Sequence, residues 1–194
     1  MTKSLSEILE TVGNCKKCKL SKFRDKCVFA EGANDAKTIL IGLSPGKEEN
    51  STGRLFIGPS GDFLNELLQL AKIDRRSLYI TNIIKCHAPT YLIGKEEVAA
   101  CSPYLDKQIE ILKPKMIISL GSVATQYIFE KYKLPKEKIT EVHGRIFEVS
   151  VGDLFNPLSN VKIVPMFHPA AALRTPELTE SIRKDWQKLS KDGL

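Results

Sequence analysis

Thr38-Ile39-Leu40-Ile41-Gly42 is a short apolar run, rich in β-branched residues, that stops at a glycine. Three more runs of the same kind follow: Leu78–Lys85 (LYITNIIK), Met116–Gly121 (MIISLG) and Lys162–Phe167 (KIVPMF). Each is mostly continuous rather than alternating, as expected of strands covered on both faces. Helical spacing fills the intervals. Phe63, Leu64, Leu67, Leu68 and Ala71 fall on one face of a helix over Gly61–Ile73. Lys95–Leu112, Ser122–Tyr132 and Thr179–Leu189 carry similar spacing. Strands alternating with helices predict a central four-stranded, mostly parallel sheet flanked by helices in a single α/β domain spanning residues 1–194. Arg145–Val151 is expected as an extra strand beside the fourth. Ligands of such folds bind beyond the carboxyl ends of the strands. Leu43–Gly46, Asn82–Cys86 and the segment from His168 onward all fall there.

The chain has 194 residues, 42% of them hydrophobic and 27% charged, ordinary values for a globular protein with a substantial core. Its net charge of +6 fits either a polyanionic partner or a lysine-rich solvated surface. Met1 to Lys19 lacks the apolar core of a signal peptide, and no apolar run is long enough for a membrane span. A cytoplasmic protein is expected. Four of the five cysteines form two distant groups, Cys15-x2-Cys18 and Cys86-x14-Cys101. In a reducing compartment that pattern reads as a metal or iron–sulfur site rather than disulfides. Spacing leaves both a [4Fe–4S] cluster and zinc open. Cys27 is left over, as a small apolar packing residue.

Three segments carry the chemistry. Gly42-Leu43-Ser44-Pro45-Gly46 forces a tight turn and lets a ligand approach the backbone. It is not a nucleotide-binding loop: Gly46-Lys47 is followed by Glu48, and no glycine precedes at the required spacing. Gly53-Arg54-Leu55-Phe56-Ile57-Gly58 offers an aromatic ring flanked by glycines. Phe167-His168-Pro169-Ala170-Ala171-Ala172-Leu173-Arg174 places one of only three histidines at a strand end.

GLSPG, GRLFIGPSG, TNIIKC and FHPAAALR, in this order and in register with the cysteines, resemble the uracil-DNA glycosylase superfamily from about Cys15 to Arg174. The pattern is most similar to the iron–sulfur type, family four. That resemblance implies excision of uracil from DNA, single- or double-stranded, by hydrolysis of the N-glycosidic bond. A base inside a duplex must first be flipped out. Phe56 would stack on the flipped base and Asn82 would read its O4 and N3–H edge, with Gly42, Pro45 and Gly46 against the ring. His168 would stabilise the departing anion at O2. Leu173 would wedge the base stack, unless it is simply buried, and Arg174 would hold a phosphate. Cys15, Cys18, Cys86 and Cys101 would hold a [4Fe–4S] cluster, zinc being the alternative. Lys16 and Lys17, with Lys19 and Lys22, would meet phosphates beside it. A monomer is expected, with replication or repair proteins as candidate partners.

The chain departs from the family at the position of its first acid, which is Leu43. Asn50 replaces an Asp, and the loop after the third cysteine reads Cys86-His87-Ala88-Pro89-Thr90-Tyr91, without the usual Asn. GL-x-P and TGR-x-F are similar to family five, which tolerates more bases. Glu49, assisted by Ser44, is the candidate for activating the attacking water; the plain alternative is a solvated turn. His87 adjoins Cys86 and could coordinate, but with four cysteines present it is expected as a surface or phosphate-contacting residue, and His143 in a turn. Two other functions compete with uracil excision: wider choice among deaminated bases, and damage sensing without catalysis.

Overall fold

The computed structural model describes residues 4–87, 89, 92–153 and 156–190. Of the loop after Cys86, Ala88, Thr90 and Tyr91 lie outside the described residues. The strands are β1 (Ala30–Gly32), β2 (Thr38–Gly42), β3 (Leu78–Asn82), β4 (Met116–Leu120), β5 (Phe147–Asp153) and β6 (Asn156–Met166). They form one sheet in the order β1-β3-β2-β4-β6-β5. The four central strands run parallel, and β1 and β5 close the edges antiparallel.

The expected four-stranded sheet is therefore six-stranded. The extra strand expected near Arg145–Val151 is β5, and β1 went unread because it has three residues and no apolar run. The second strand is also shorter than expected. After Asn82 the chain folds over the end of β2, where Ile83 and Ile84 donate to the carbonyls of Gly42 and Leu43.

Every residue of β2, β3 and β4 is buried. Side chains alternate between the two faces of a strand, which makes two cores. Ile39, Ile41, Tyr79, Ile117 and Ile163 share one, covered by α1 (Leu5–Gly13), α4 (Lys95–Leu112) and α5 (Ser122–Lys131). Leu40, Leu78, Ile80, Ile118 and Val164 share the other, covered by α3 (Pro59–Leu70) and α8 (Thr179–Leu189). Helix α1 is absent from the sequence expectations although Ser4 and Glu7 form a capping box at its start. Among the described residues there are also short α-helices α2 (Lys47–Thr52), α6 (Ile139–Val142) and α7 (Ala170–Arg174).

Parallel pairing sets the site. Register places Gly42 beside Asn82 at the carboxyl ends of β2 and β3. The carboxyl ends of β4 and β6 align next to them, and β6 leads through Phe167 into His168. No helix among the described residues is long and apolar enough to cross a membrane.

Candidate active site

Over these strand ends lies a cavity of about 390 Å³. It is lined by Ser44, Pro45, Gly46, Glu49, Phe56, Asn82 and His168, all singled out in the sequence, together with His87. Gly42 sits beneath it. A Cβ there would run into the Asn82 side-chain oxygen and the Phe56 ring, so only glycine lets those two side chains meet.

Phe56 is buried and adopts φ +48°, a left-handed backbone that costs a non-glycine residue about 1–3 kcal/mol. Its surroundings hold it there. Its N–H donates to Glu49 Oε1 at 2.5 Å, and Arg75 donates to the carbonyls of Leu55 (2.6 Å) and Phe56 (3.4 Å). The other Glu49 oxygen accepts from the Gly46 N–H at 2.6 Å. Glu49 is therefore no solvated turn residue: only 8% exposed, it ties the turn after β2 to the aromatic loop. Burial raises its pKa, while the hydrogen bonds from Gly46 and Phe56 act the other way. A third backbone N–H, from Ile57, also bears on the carboxylate, which leaves about one of its roughly four acceptor sites for a further donor.

Asn82 is 2% exposed, and among the described residues its side-chain amide makes no hydrogen bond. Its backbone is pinned instead. The buried Lys85 ammonium donates to the Asn82 carbonyl, Thr81 Oγ1 and Gln108 Oε1 at 2.6–2.7 Å. The Asn82 amide thus keeps its donor and acceptor for an occupant of the cavity.

His168 packs 5.7 Å from the Phe56 ring, centre to centre. Burial, aided by the positive Arg174, pulls its pKa down to about 4, so the ring is neutral at pH 7. The Ala170 N–H donates to Nδ1 at 3.1 Å, which leaves the hydrogen on Nε2. His168 is a neutral donor. His87, expected at the surface, is a cavity residue whose Nδ1 lies 2.9 Å from the Pro45 carbonyl oxygen. Leu43 packs against the core rather than lining the cavity. His143 is more than a turn residue: it bonds buried Asp185 at 2.6 Å and packs on Phe167.

Leu173 and Arg174 lie at the end of α7, outside the cavity, both exposed; at 53%, Leu173 is the most exposed large apolar side chain among the described residues. Simple burial of Leu173 is ruled out. On another part of the surface, Cys15, Cys18, Cys86 and Cys101 line one recess with Arg24 and Tyr104. Arg24 donates to the carbonyls at the end of α1 (3.0 and 2.7 Å) and reaches Cys86 Sγ at 3.5 Å. Burial raises the pKa of Cys86, an effect Arg24 opposes, and lifts Cys101 to about 11. Among the described residues no three His, Cys, Asp or Glu side chains converge on a single-ion position. Cys27 stands outside the recess and packs on the core. Lys16 and Lys17 are exposed beside the recess rather than the cavity, and Lys17 Nζ sits 5.2 Å from the centre of the Tyr104 ring. Nothing local in the sequence marked Arg24 or Arg75, whose partners are ten or more residues away, or Lys85, which joins Thr81 and Asn82 to the remote Gln108.

A neutral imidazole, an amide without a hydrogen bond among the described residues and a fixed aromatic ring thus surround one cavity over the ends of the parallel central strands. The model described as Uracil DNA glycosylase superfamily matches residues 29–190, and the chain belongs to that superfamily. It is 38% identical over 188 residues to a type-4 uracil-DNA glycosylase of Sulfurisphaera tokodaii, covering 96% of this chain and 83% of that one. With a type-4 uracil-DNA glycosylase of Archaeoglobus fulgidus it shares 34% over 187 residues, 96% and 92% of the two chains. Similarity to a type-5 uracil-DNA glycosylase of Pyrobaculum aerophilum is weaker, 28% over 114 residues and about half of each chain.

Proposed function

We infer that this chain is a DNA-repair glycosylase that excises uracil by hydrolysing its N-glycosidic bond and leaves an abasic site. The observation that carries the reading is the single cavity joining Phe56, Asn82 and His168, with Glu49 and Ser44 on its wall. DNA binding alone needs no reader for a base edge. Leu173 wedges the stack and Arg174 takes a phosphate, while Lys16 and Lys17 meet the backbone further along.

The base stacks on Phe56, and Asn82 donates to O4 and accepts from N3–H. As the C1′–N1 bond breaks, its electron pair leaves with the base, and His168 Nε2–H donates to O2 where the charge collects. Cytosine presents an amino group where uracil has O4, and a lone pair where uracil has N3–H, so an Asn82 amide held with its amino group toward O4 would oppose it. Glu49 holds Gly46 and Phe56 in place and, with Ser44, orients the water that attacks C1′. In single-turnover assays on uracil-containing duplexes, Glu49→Gln and Ser44→Ala are expected to slow excision, Glu49→Gln by about 10²-fold. Full rates in both variants would remove these two roles. Duplexes carrying uracil, hypoxanthine, xanthine or thymine test the activity itself. Cleavage at uracil alone is expected; binding without cleavage at any base would overturn the enzyme reading.

Cys15, Cys18, Cys86 and Cys101 hold a [4Fe–4S] cluster in this proposal. The donor set fits: four thiols face one recess, and Arg24 supplies positive charge beside Cys86. When bound, the group ties the N-terminal segment to the Cys86 loop and α4. Purified protein should be brown, with absorbance near ~400 nm. Cys86→Ala should lose that absorbance and melt at lower temperature, because ligand binding adds to folding free energy. Colourless protein with one equivalent of zinc would replace the cluster by the zinc alternative.

A further inference from the structure

Two imidazoles face the cavity, and their hydrogen bonds assign them opposite polarity. His168 accepts at Nδ1 from an amide N–H and so presents Nε2–H. His87 has the reverse arrangement, because its Nδ1 faces the Pro45 carbonyl 2.9 Å away. A carbonyl oxygen only accepts, so Nδ1 of His87 carries the hydrogen and the neutral ring keeps its lone pair on Nε2. The cavity therefore holds one ring whose Nδ1 accepts and one whose Nδ1 donates.

Glycoside hydrolysis uses both kinds of partner: a donor for the departing base, and acceptors that hold the incoming water with a lone pair toward C1′. Glu49 meets only part of the second need, since each of its oxygens already receives a backbone N–H. A water has two hydrogens, and Glu49 offers partial capacity for one. Leu43 contributes no acceptor to the cavity wall.

We propose that His87 is a second water-holding residue of the excision reaction, its Nε2 accepting a hydrogen bond from the attacking water while Nδ1–H anchors the ring on Pro45. This rests on the glycosylase reading. The water oxygen bonds C1′ as the C1′–N1 pair departs with the base. The surplus proton of the water goes to solvent and the base takes one up, so His87 gains no proton in the step.

Two substitutions separate this role from a structural one. His87→Asn keeps an N–H for the Pro45 carbonyl but has no atom at the Nε2 position. His87→Gln reaches that position with Oε1 but gives up the Pro45 contact. His87→Asn is expected to cut the single-turnover rate by about 10- to 100-fold, with unchanged affinity for a duplex carrying an uncleavable uracil analogue. His87→Gln should retain more of the rate. A wild-type rate in His87→Asn, equal losses in the two variants, or a loss confined to affinity would overturn the proposal. A readout free of activity is the nitrogen spectrum of the His87 ring, expected as the Nδ1–H tautomer. An Nε2–H tautomer or an imidazolium at neutral pH would overturn it too. If the wild-type protein fails to excise uracil, the glycosylase reading falls, whereas the tautomer reports on His87 alone.

Discussion

His168→Ala lowers the single-turnover rate of uracil excision by about 10²- to 10³-fold, the loss associated with removing one preorganised donor from a developing anion. The ring is neutral, with its pKa pulled down to about 4, and its Nδ1 is fixed by the Ala170 N–H. A neutral donor stabilises charge that appears only as the bond breaks, so the effect falls on the chemical step and affinity for uncleavable DNA should hardly move. Loss of affinity matching the loss of rate would show that His168 serves binding rather than departure of the base. Between pH 5 and 8 the His168 contribution to the rate should be flat, because the folded protein titrates this ring well below that range. Stability should follow the opposite logic. An unfolded histidine takes up a proton near pH 6.5, whereas folded His168 resists until about pH 4. The unfolded state thus binds more protons between these values. The contribution of neutral His168 is complete above pH 6.5 and is lost as pH falls toward 4. Melting temperatures of wild type and His168→Gln should therefore converge as pH falls from 7 to 5; parallel curves would contradict the depressed pKa.

Asn82→Leu comes next in size. The parallel register sets Asn82 beside Gly42, and the missing Cβ of that glycine leaves room for its amide. Leucine keeps the bulk of the side chain but removes one donor and one acceptor. Two hydrogen bonds of about 0.5–1.5 kcal/mol each disappear, and the polar edge of the base is left unpaired at a further cost of about 1–3 kcal/mol. Uracil excision should fall by about 10²-fold or more. The sharper signature is selectivity. A site that hydrogen-bonds its substrate rejects mismatched analogues by about 10⁴-fold, and without the amide the ratio of uracil to cytosine excision should shrink toward the level that shape and stacking provide. The two rates measured side by side decide it; an unchanged ratio would mean that Asn82 does not read the base.

Much of this molecule is legible along the chain. Continuous apolar runs ending at Gly42, Lys85 and Gly121 mark strands buried on both faces, because two helical layers leave no polar side. Segments at the carboxyl ends of parallel strands converge, which brings Ser44, Asn82 and His168 together, whereas Phe56 and the roles of these residues follow from the family resemblance. Edge strand β1 was not legible, since three half-covered residues make no pattern and their pairing partner lies about fifty positions away. Helix α1 carries a capping signal at Ser4 and Glu7, but its apolar face is short, with only Ile8 and Val12 buried.

Sequence by itself determined the α/β class, the pairing of two distant cysteine groups as one candidate site, and the residue types available for reading and releasing a base. These depend on local periodicity and on chemistry that side chains carry with them. Tertiary structure alone decided what each group can do. Glu49 became a buried clamp because Gly46 and Phe56 both turn their N–H groups toward it. His168 became a donor because Ala170 occupies its other nitrogen, and His87 came to line the cavity with its Nδ1 against the Pro45 carbonyl. Leu43 turned into the core and left the cavity wall. Hydrogen-bond polarity and burial depend on the neighbours a folded chain supplies, and those neighbours are set by packing rather than by spacing along the chain.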